Sequence, residues 1–354
     1  MRISRFLVFK AMNSMGKSSV LLRDIEDFCK TFALQKELHG SSFLITGTTG
    51  LIGSILVKCL LALDEGVKII APVRNAEKAK SLFGDDIRLQ IVECELSSFC
   101  YSSLGKVDYV VHCAAPTSSR FFVEKPVDTF NIIINGTQRL LEYAKSEGVK
   151  GFAYLSSLEV YGTITDDSSR VSEDIQGYLD PMSVRSSYPM AKRAAENLCA
   201  LYASQYGVPA KIVRLTQTTG AGISKDDNRV IAQFARCAAN GEDIVLHTTG
   251  ESARPYCYTI DSVSAILYVL LKGNAGEAYN VANEETYISA RGMAEYLRDN
   301  FNKDIDVRIE IADNMGYAPV TKLRLSTSKI QALGWRPNYD LNRIFRNLID
   351  YIAE

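Results

Sequence analysis

Tyr188 and Lys192 stand four residues apart in Ser187-Tyr188-Pro189-Met190-Ala191-Lys192, a spacing that puts a phenol and an ammonium on one face of a helix, one turn apart. Such a pair can exchange a proton with a hydroxyl. A free tyrosine ionises near pH ~10, and a positive charge beside it favours the phenolate. Upstream, Leu155-Ser156-Ser157-Leu158-Glu159-Val160-Tyr161-Gly162 closes an apolar run with hydroxyls and one carboxylate. Ser157 can hydrogen-bond the same reacting oxygen. Singly, Tyr188 could be a helix-start aromatic, Lys192 a solvated lysine and Ser157 a strand-end cap. Together they form a catalytic set.

Proton exchange of this kind accompanies hydride transfer to a cofactor, and the chain carries a place for one. Phe43-Leu44-Ile45-Thr46-Gly47-Thr48-Thr49-Gly50-Leu51-Ile52-Gly53 puts GxxGxxG between an apolar strand and an apolar helix. Gly47 permits the tight turn, Gly50 lets backbone approach a pyrophosphate, Gly53 allows close helix packing, and the helix N-terminus favours the anion. This predicts a dinucleotide site, with Thr49, Leu51 and Ile52 on the same turn and Ala114 and Ala115 beyond the fourth strand as further contacts. The second strand ends in Val73-Arg74-Asn75, with Arg74 where a carboxylate would grip free ribose hydroxyls. A guanidinium there can clamp a 2′-phosphate, favouring NADP(H) over NAD(H). A solvated strand-end arginine is the alternative.

These residues need a scaffold of alternating strands and helices. Short β-branched runs predict strands at 43–46, 68–72, 89–93, 109–112, 152–155 and 211–215, with helices beginning near Gly50, Ala76, Val127 and Ser187. That alternation implies an α/β fold, a doubly wound parallel (Rossmann) sheet, with ligands at the carboxyl ends of its strands. Segments at 243–247, 278–281 and 307–311, among helices near 229–239, 261–271 and 289–299, read as a smaller C-terminal α+β lobe. The expected division is a helical extension over 1–40, with its helical stretch at 21–38, a dinucleotide-binding domain over 41–216 and a closely fused substrate lobe over 217–354.

Composition narrows the function. Forty basic residues against forty-one acidic ones leave a net charge of −1, so no overall field draws the chain to nucleic acid or an anionic membrane. Eight cysteines contain no CxxC pair and read as reduced, which points to the cytoplasm. His39, His112 and His247 are scattered, so no metal site is expected. No apolar run approaches the roughly 18 to 20 residues of a membrane span. The start MRISRFLVFKAMNSMGK has basic residues before a short apolar patch, but Lys10 interrupts it and no small-x-small site follows, so it does not read as an export signal.

The motifs GxxGxxG, SSxEVYG and RSSYxxxKRxAE, with Leu333-Gly334-Trp335-Arg336-Pro337 near the end, resemble the extended short-chain dehydrogenase/reductase (NAD-dependent epimerase/dehydratase) family. The likeness is strongest to UDP-glucuronate decarboxylases and sugar-nucleotide 4,6-dehydratases. It implies a nucleotide-activated sugar as substrate, Glu159 assisting at the sugar ring, and a homodimer through the helices at 127–147 and 187–206. It also implies substrate contacts from Arg229 and Arg254, each able to hold a diphosphate or sugar carboxylate. Either arginine could instead be salt-bridged.

Three departures from the family bear on the substrate. Leu158 stands where 4,6-dehydratases carry an acid, so simple 4,6-dehydration lacks a proton carrier. Ile133 replaces an asparagine usual before Gly136-Thr137, with Asn131 and Asn135 nearby, so a side-chain bridge there is rerouted. Gln217 replaces an asparagine after the sixth strand and is expected to contact a different substrate. The leading expectation is transient oxidation at a sugar carbon, serving epimerisation, decarboxylation or elimination in polysaccharide biosynthesis. The rival is a net NADPH-dependent reductase of a keto group, such as nucleotide-ketose to nucleotide-alditol. A non-catalytic NADP(H)-binding sensor is the third.

Overall fold

The computed structural model describes residues 19–96, 98–312 and 320–354, so the basic start of the chain lies outside the described residues. Its first part runs α1 (Ser19–Thr31), β1 (Ser42–Thr46), α2 (Leu51–Ala62), β2 (Lys68–Val73), α3 (Ala76–Phe83), β3 (Leu89–Glu93), β4 (Tyr109–His112), α4 (Ser119–Glu124), α5 (Pro126–Glu147), β5 (Gly151–Ser157), α6 (Ser187–Tyr206) and β6 (Ala210–Leu215). Local chemistry fixes several ends. The Asn75 side chain accepts from Lys78 N at 2.7 Å and caps α3, a cap worth about 1 kcal/mol. Pro126 opens α5, where its missing N–H costs nothing, and Gly148 closes it in the left-handed region.

Seven parallel strands form one sheet in the order β10-β6-β5-β4-β1-β2-β3, where β10 is Ala278–Val281. The buried apolar runs of β1, β5 and β6 are what a sheet covered on both faces requires. β1 lies between β2 and β4, so the chain reverses direction across the sheet at its carboxyl end, and a crevice opens there.

Past β6 the chain runs β7 (Gln217–Thr219), α7 (Val230–Asn240), β8 (Ile244–Leu246), β9 (Ala253–Tyr258) and α8 (Thr259–Lys272). After β10 come β11 (Asn283–Ser289), α9 (Ala290–Asn300), β12 (Val307–Ile309), α10 (Ser328–Ala332) and α11 (Leu341–Ala353). The sequence reading put 278–281 among the elements of the second lobe. Instead β10 pairs with β6, Ala278 opposite Ile212, as the seventh strand of the main sheet. The excursion β7 to α8 separates these two neighbours in sequence and hides the crossover. That excursion and β11 build a small sheet in the order β11-β9-β7, while β12 pairs with β8. No described helix is long and apolar enough to cross a membrane, and all eight cysteines are free.

The stretch at 21–38 is not one helix: α1 ends at Thr31 and a 3-10 turn follows at Gln35–Leu38. Its apolar stripe, Val20, Leu21, Ile25 and Phe28, packs on α2, α8 and α11. Asp24 lies buried on the same face and accepts from the Tyr258 hydroxyl at 2.6 Å and the Asn347 amide at 3.2 Å. Burial pushes its carboxyl from 3.8 up to about 7. The folded protein therefore keeps this proton to higher pH than the unfolded chain does. The stabilisation is complete below the unfolded value and is lost as pH rises through about 7. Asp24→Asn keeps an acceptor for Tyr258 without the charge. Its thermal midpoint should fall less than the wild type's between pH ~5 and pH ~8, the gap widening as pH rises. Parallel curves in differential scanning calorimetry would show that Asp24 is not the group responsible. Asp261, also pushed up to about 7 by burial, contributes its decline to both proteins.

Candidate active site

α6 lies across the carboxyl end of β5 and carries both halves of the YxxxK pair. Lys192 Nζ donates to the Leu155 carbonyl at 2.6 Å and lies 4.7 Å from the Tyr154 ring centroid and 5.7 Å from that of Tyr188. Ser157 Oγ accepts from Glu159 N at 3.2 Å, so it does cap the turn after β5 while its own O–H remains a donor. Tyr188 is 7% exposed, and its ring stacks on Phe122 of α4 at 4.2 Å and 10°. Arg185 reaches back to Glu159 at 3.0 Å, with its guanidinium carbon 5.2 Å from the Phe122 ring centroid. Ser157, Glu159, Tyr188 and Lys192 thus converge at one point.

The electrostatics differ from the expectation that Lys192 favours the phenolate. Burial pushes the Tyr188 phenol up and the charge of Glu159 adds to this, while the Ser157 hydrogen bond and Arg185 pull it back. Lys192 is pushed down to about 8 by burial, opposed chiefly by Glu196 one turn further along α6. On its own the protein holds Tyr188 as the acid. Its conjugate base requires a further positive charge in the crevice.

The turn after β1 fits a dinucleotide. Gly47 has φ +70°, and a Cβ there would lie 2.7 Å from Ala114 N. A Cβ on Gly53 would lie 2.3 Å from Gly47 O, so the turn closes only without side chains at both places. Gly50 precedes α2 with no side-chain cap, which leaves the first amides of the helix for an anion. Thr48 Oγ1 is buried with no hydrogen-bond partner among the described residues. Thr49, Leu51 and Ile52 are half-buried on the same turn. Ala114 N donates to Thr46 Oγ1 at 3.3 Å, and Ala115 follows it half-buried. Thr46 Oγ1 also shares a 2.7 Å hydrogen bond with Nδ1 of His112, which burial pushes down to about 3 and so keeps neutral. Arg74 is exposed at the end of β2 and makes no hydrogen bond or ion pair among the described residues.

β7 follows directly on the carboxyl end of β6 and pairs with β9. Gln217 pairs in register with Tyr256, and Arg254 lies two residues along on the same face. Among the described residues Arg254 makes one long contact, to Thr321 Oγ1 at 3.5 Å. Arg229 is engaged as the salt-bridged alternative described: Nε and a terminal nitrogen grip Asp227 at 3.0 and 2.6 Å, and the other donates to Thr218 O at 2.6 Å. The charges of Arg254 and Arg229 both reach Tyr256, whose hydroxyl burial pushes up to about 12.

Asn131 and Asn135 are exposed while Ile133 is buried, so neither asparagine takes over the missing bridge. Leu158 packs against a small cluster containing Val160, Tyr161, Val171 and Leu325. Sequence reasoning missed Phe122 and the Arg185–Glu159 pair. Arg185 stood inside the quoted motif, three residues before Tyr188, whereas Phe122 is one apolar residue among many. Among the described residues no group of His, Cys, Asp and Glu could hold a metal ion.

A family model described as the NAD dependent epimerase/dehydratase family matches residues 43–282. UDP-glucuronic acid decarboxylase 3 of Arabidopsis thaliana is 29% identical over 301 residues, 84% of this chain and 85% of that protein. The dTDP-glucose 4,6-dehydratase DesIV from Streptomyces venezuelae, crystallised with NAD bound, is 25% identical with a TM-score of 0.72, covering 88% of this chain and 97% of that one. UDP-glucuronic acid 4-epimerase from Bacillus cereus, in complex with UDP-glucuronic acid and NAD, is 22% identical with a TM-score of 0.73, covering 88% of this chain and 99% of that one.

Gly53→Ala tests the turn. The added methyl must displace the Gly47 carbonyl, so a fluorescence titration with a reduced nicotinamide dinucleotide should show affinity weakened about tenfold or more, with stability lower by about 1–3 kcal/mol. Unchanged binding would mean that this turn does not carry the dinucleotide.

Proposed function

Since this chain belongs to the NAD dependent epimerase/dehydratase family, whose model matches residues 43–282, we propose that it modifies a nucleotide-activated sugar by transient oxidation at a ring carbon. The observation that carries this reading is the convergence of Ser157, Tyr188 and Lys192 at the end of β5, with Glu159 beside them and the glycine turn in the same crevice. The names of the relatives, a decarboxylase of UDP-glucuronic acid and a dTDP-glucose dehydratase, support the substrate class.

The amides at the start of α2 and the Gly47–Gly53 turn would hold the pyrophosphate, with Arg74 at the adenosine ribose and Lys192 at the nicotinamide ribose. When bound, the oxidised nicotinamide supplies a hydride acceptor and a fixed positive charge. Ser157 donates a hydrogen bond to the sugar hydroxyl. Tyr188 takes that hydroxyl's proton as the sugar is oxidised and returns it when the ketone is reduced. The ketone acidifies the neighbouring C–H and stabilises the carbanion left when a carboxylate departs as carbon dioxide. Glu159 then carries the second proton, held beside Tyr188 by Arg185. Arg254 and Gln217 would take the nucleotide diphosphate or sugar carboxylate. Leu158, packed away in an apolar cluster, supplies no proton for 4,6-elimination, which favours decarboxylation or epimerisation.

Arg74 favours a second reading. Exposed and without a partner among the described residues, it is placed for the 2′-phosphate of NADP(H), the cofactor of a net reductase. A homodimer through α5 and α6 belongs to the proposal too, supported by the exposed Val127, Phe130, Leu201 and Tyr206. Cytoplasmic work is supported by the eight free cysteines.

Purified protein incubated with UDP- and dTDP-sugars, neutral and acidic, should form product with no net change at the nicotinamide absorbance band. Tyr188→Phe should lower kcat by about 100-fold or more. Stoichiometric loss of NADPH absorbance would instead establish the reductase. Arg74→Ala should weaken NADP(H) binding by about tenfold and leave NAD(H) binding within about twofold. Equal effects on both would remove the phosphate clamp from the reading.

A further inference from the structure

Three residues on one face of α6, a turn apart, address three consecutive residues at the end of β5. Tyr188 meets Ser157, Lys192 donates to the Leu155 carbonyl at 2.6 Å, and Glu196 accepts from Ser156 Oγ at 2.5 Å. The first two act in the chemistry. Glu196 touches no reacting atom, yet it is 9% exposed and grips Arg214 of β6, itself 7% exposed, through Nε at 3.0 Å and a terminal nitrogen at 2.7 Å. Arg214 donates in turn to the Tyr161 hydroxyl at 3.0 Å and the Glu173 carbonyl at 2.8 Å, and Tyr161 donates to Asn280 at 2.6 Å. The network therefore underlies the whole 155–161 segment. Desolvating such a pair costs about what its attraction returns, so stability alone is a poor reason for it.

We propose that Glu196 is a positioning residue for the reaction: its charge supports the ammonium of Lys192, and its hydrogen bond to Ser156 fixes the strand end from which Ser157 reaches the substrate. This rests on the catalytic reading of the site given above. The titratable groups around Lys192 are Glu196 and Cys199 on its own helix, Tyr188 at the start of that helix, Tyr154 on β5, and His112 and Cys113 at the end of β4. Burial pushes the thiols and phenols up and His112 down to about 3, so all of these are neutral near pH ~7. Among the described residues, that leaves Glu196 as the one carboxylate acting on Lys192.

The lysine side-chain nitrogen signals of isotope-labelled protein give a test that needs no substrate, with Lys192 assigned by its loss in Lys192→Met. Its midpoint, expected at about 8 in the wild type, should fall by about one pH unit in Glu196→Gln. Because that variant leaves Arg214 buried without a counter-ion, Glu196→Gln/Arg214→Gln is measured beside it and should show a smaller fall, since the Arg214 charge is removed as well. In turnover, the alkaline limb of kcat should move down with the midpoint while KM stays within about twofold. Ser156→Ala, which keeps every charge, should lower kcat several-fold with that limb in place. An unshifted Lys192 in folded Glu196→Gln, or wild-type kcat in Ser156→Ala, overturns the proposal. If the wild type turns over no nucleotide sugar, the functional reading fails and the titration decides the role of Glu196 alone.

Discussion

The buried ammonium of Lys192 on the Leu155 carbonyl, 2.6 Å apart, ties the chemistry to the fold. A cation at 4% exposure must be matched by acceptors, and here the end of β5 supplies the nearest one. That requirement fixes the rotation and height of α6 over the sheet. Tyr188, one turn earlier, is then brought against Ser157 and the face of Phe122, and Glu196, one turn later, against Ser156 and Arg214. A small slide of the helix would strand the charge and disperse all three contacts together.

The second constraint is steric. The turn after β1 closes on Ala114 and on itself at distances that no Cβ can occupy, so Gly47 and Gly53 act as absences. The strand order β5-β4-β1 then matters. It puts the glycine turn and the start of α6 on the same carboxyl edge of the sheet, two strands apart, the span that the proposed dinucleotide would cover by lying across β4. The neutral His112, hydrogen-bonded to Thr46, forms the floor between them without adding charge.

The outer parts of the chain brace this centre. The helix α1, far in sequence from the end of β9, buries Asp24 against Tyr258 and joins it to α11. The same strand β9 carries Arg254 and Tyr256, so the N-terminal extension supports the lobe expected to hold the substrate. Arg229, by contrast, has its guanidinium committed to Asp227 and the Thr218 carbonyl, and shapes that lobe as much as it faces it.

Local pattern alone marked the six strands from β1 to β6, the helices α2, α3, α5 and α6 between them but not the short α4, the glycine turn and Tyr188, Lys192 and Ser157 as candidates, because each depends on spacing within about ten residues or on residues with no substitute in their role. The order of strands could not be read in the same way. β10 joins β6 across an excursion of some sixty residues, a pairing that burial of both edges decides and no local period records. The same holds for Phe122 against Tyr188, Arg185 against Glu159, and Arg214 beneath Glu196. These are contacts between groups of ordinary type, given meaning only by the packing that desolvates them. The direction in which Tyr188 is shifted belongs here too. Sequence supplied a neighbouring lysine, but tertiary structure supplied the burial and the charge of Glu159, which together outweigh the Ser157 hydrogen bond and Arg185.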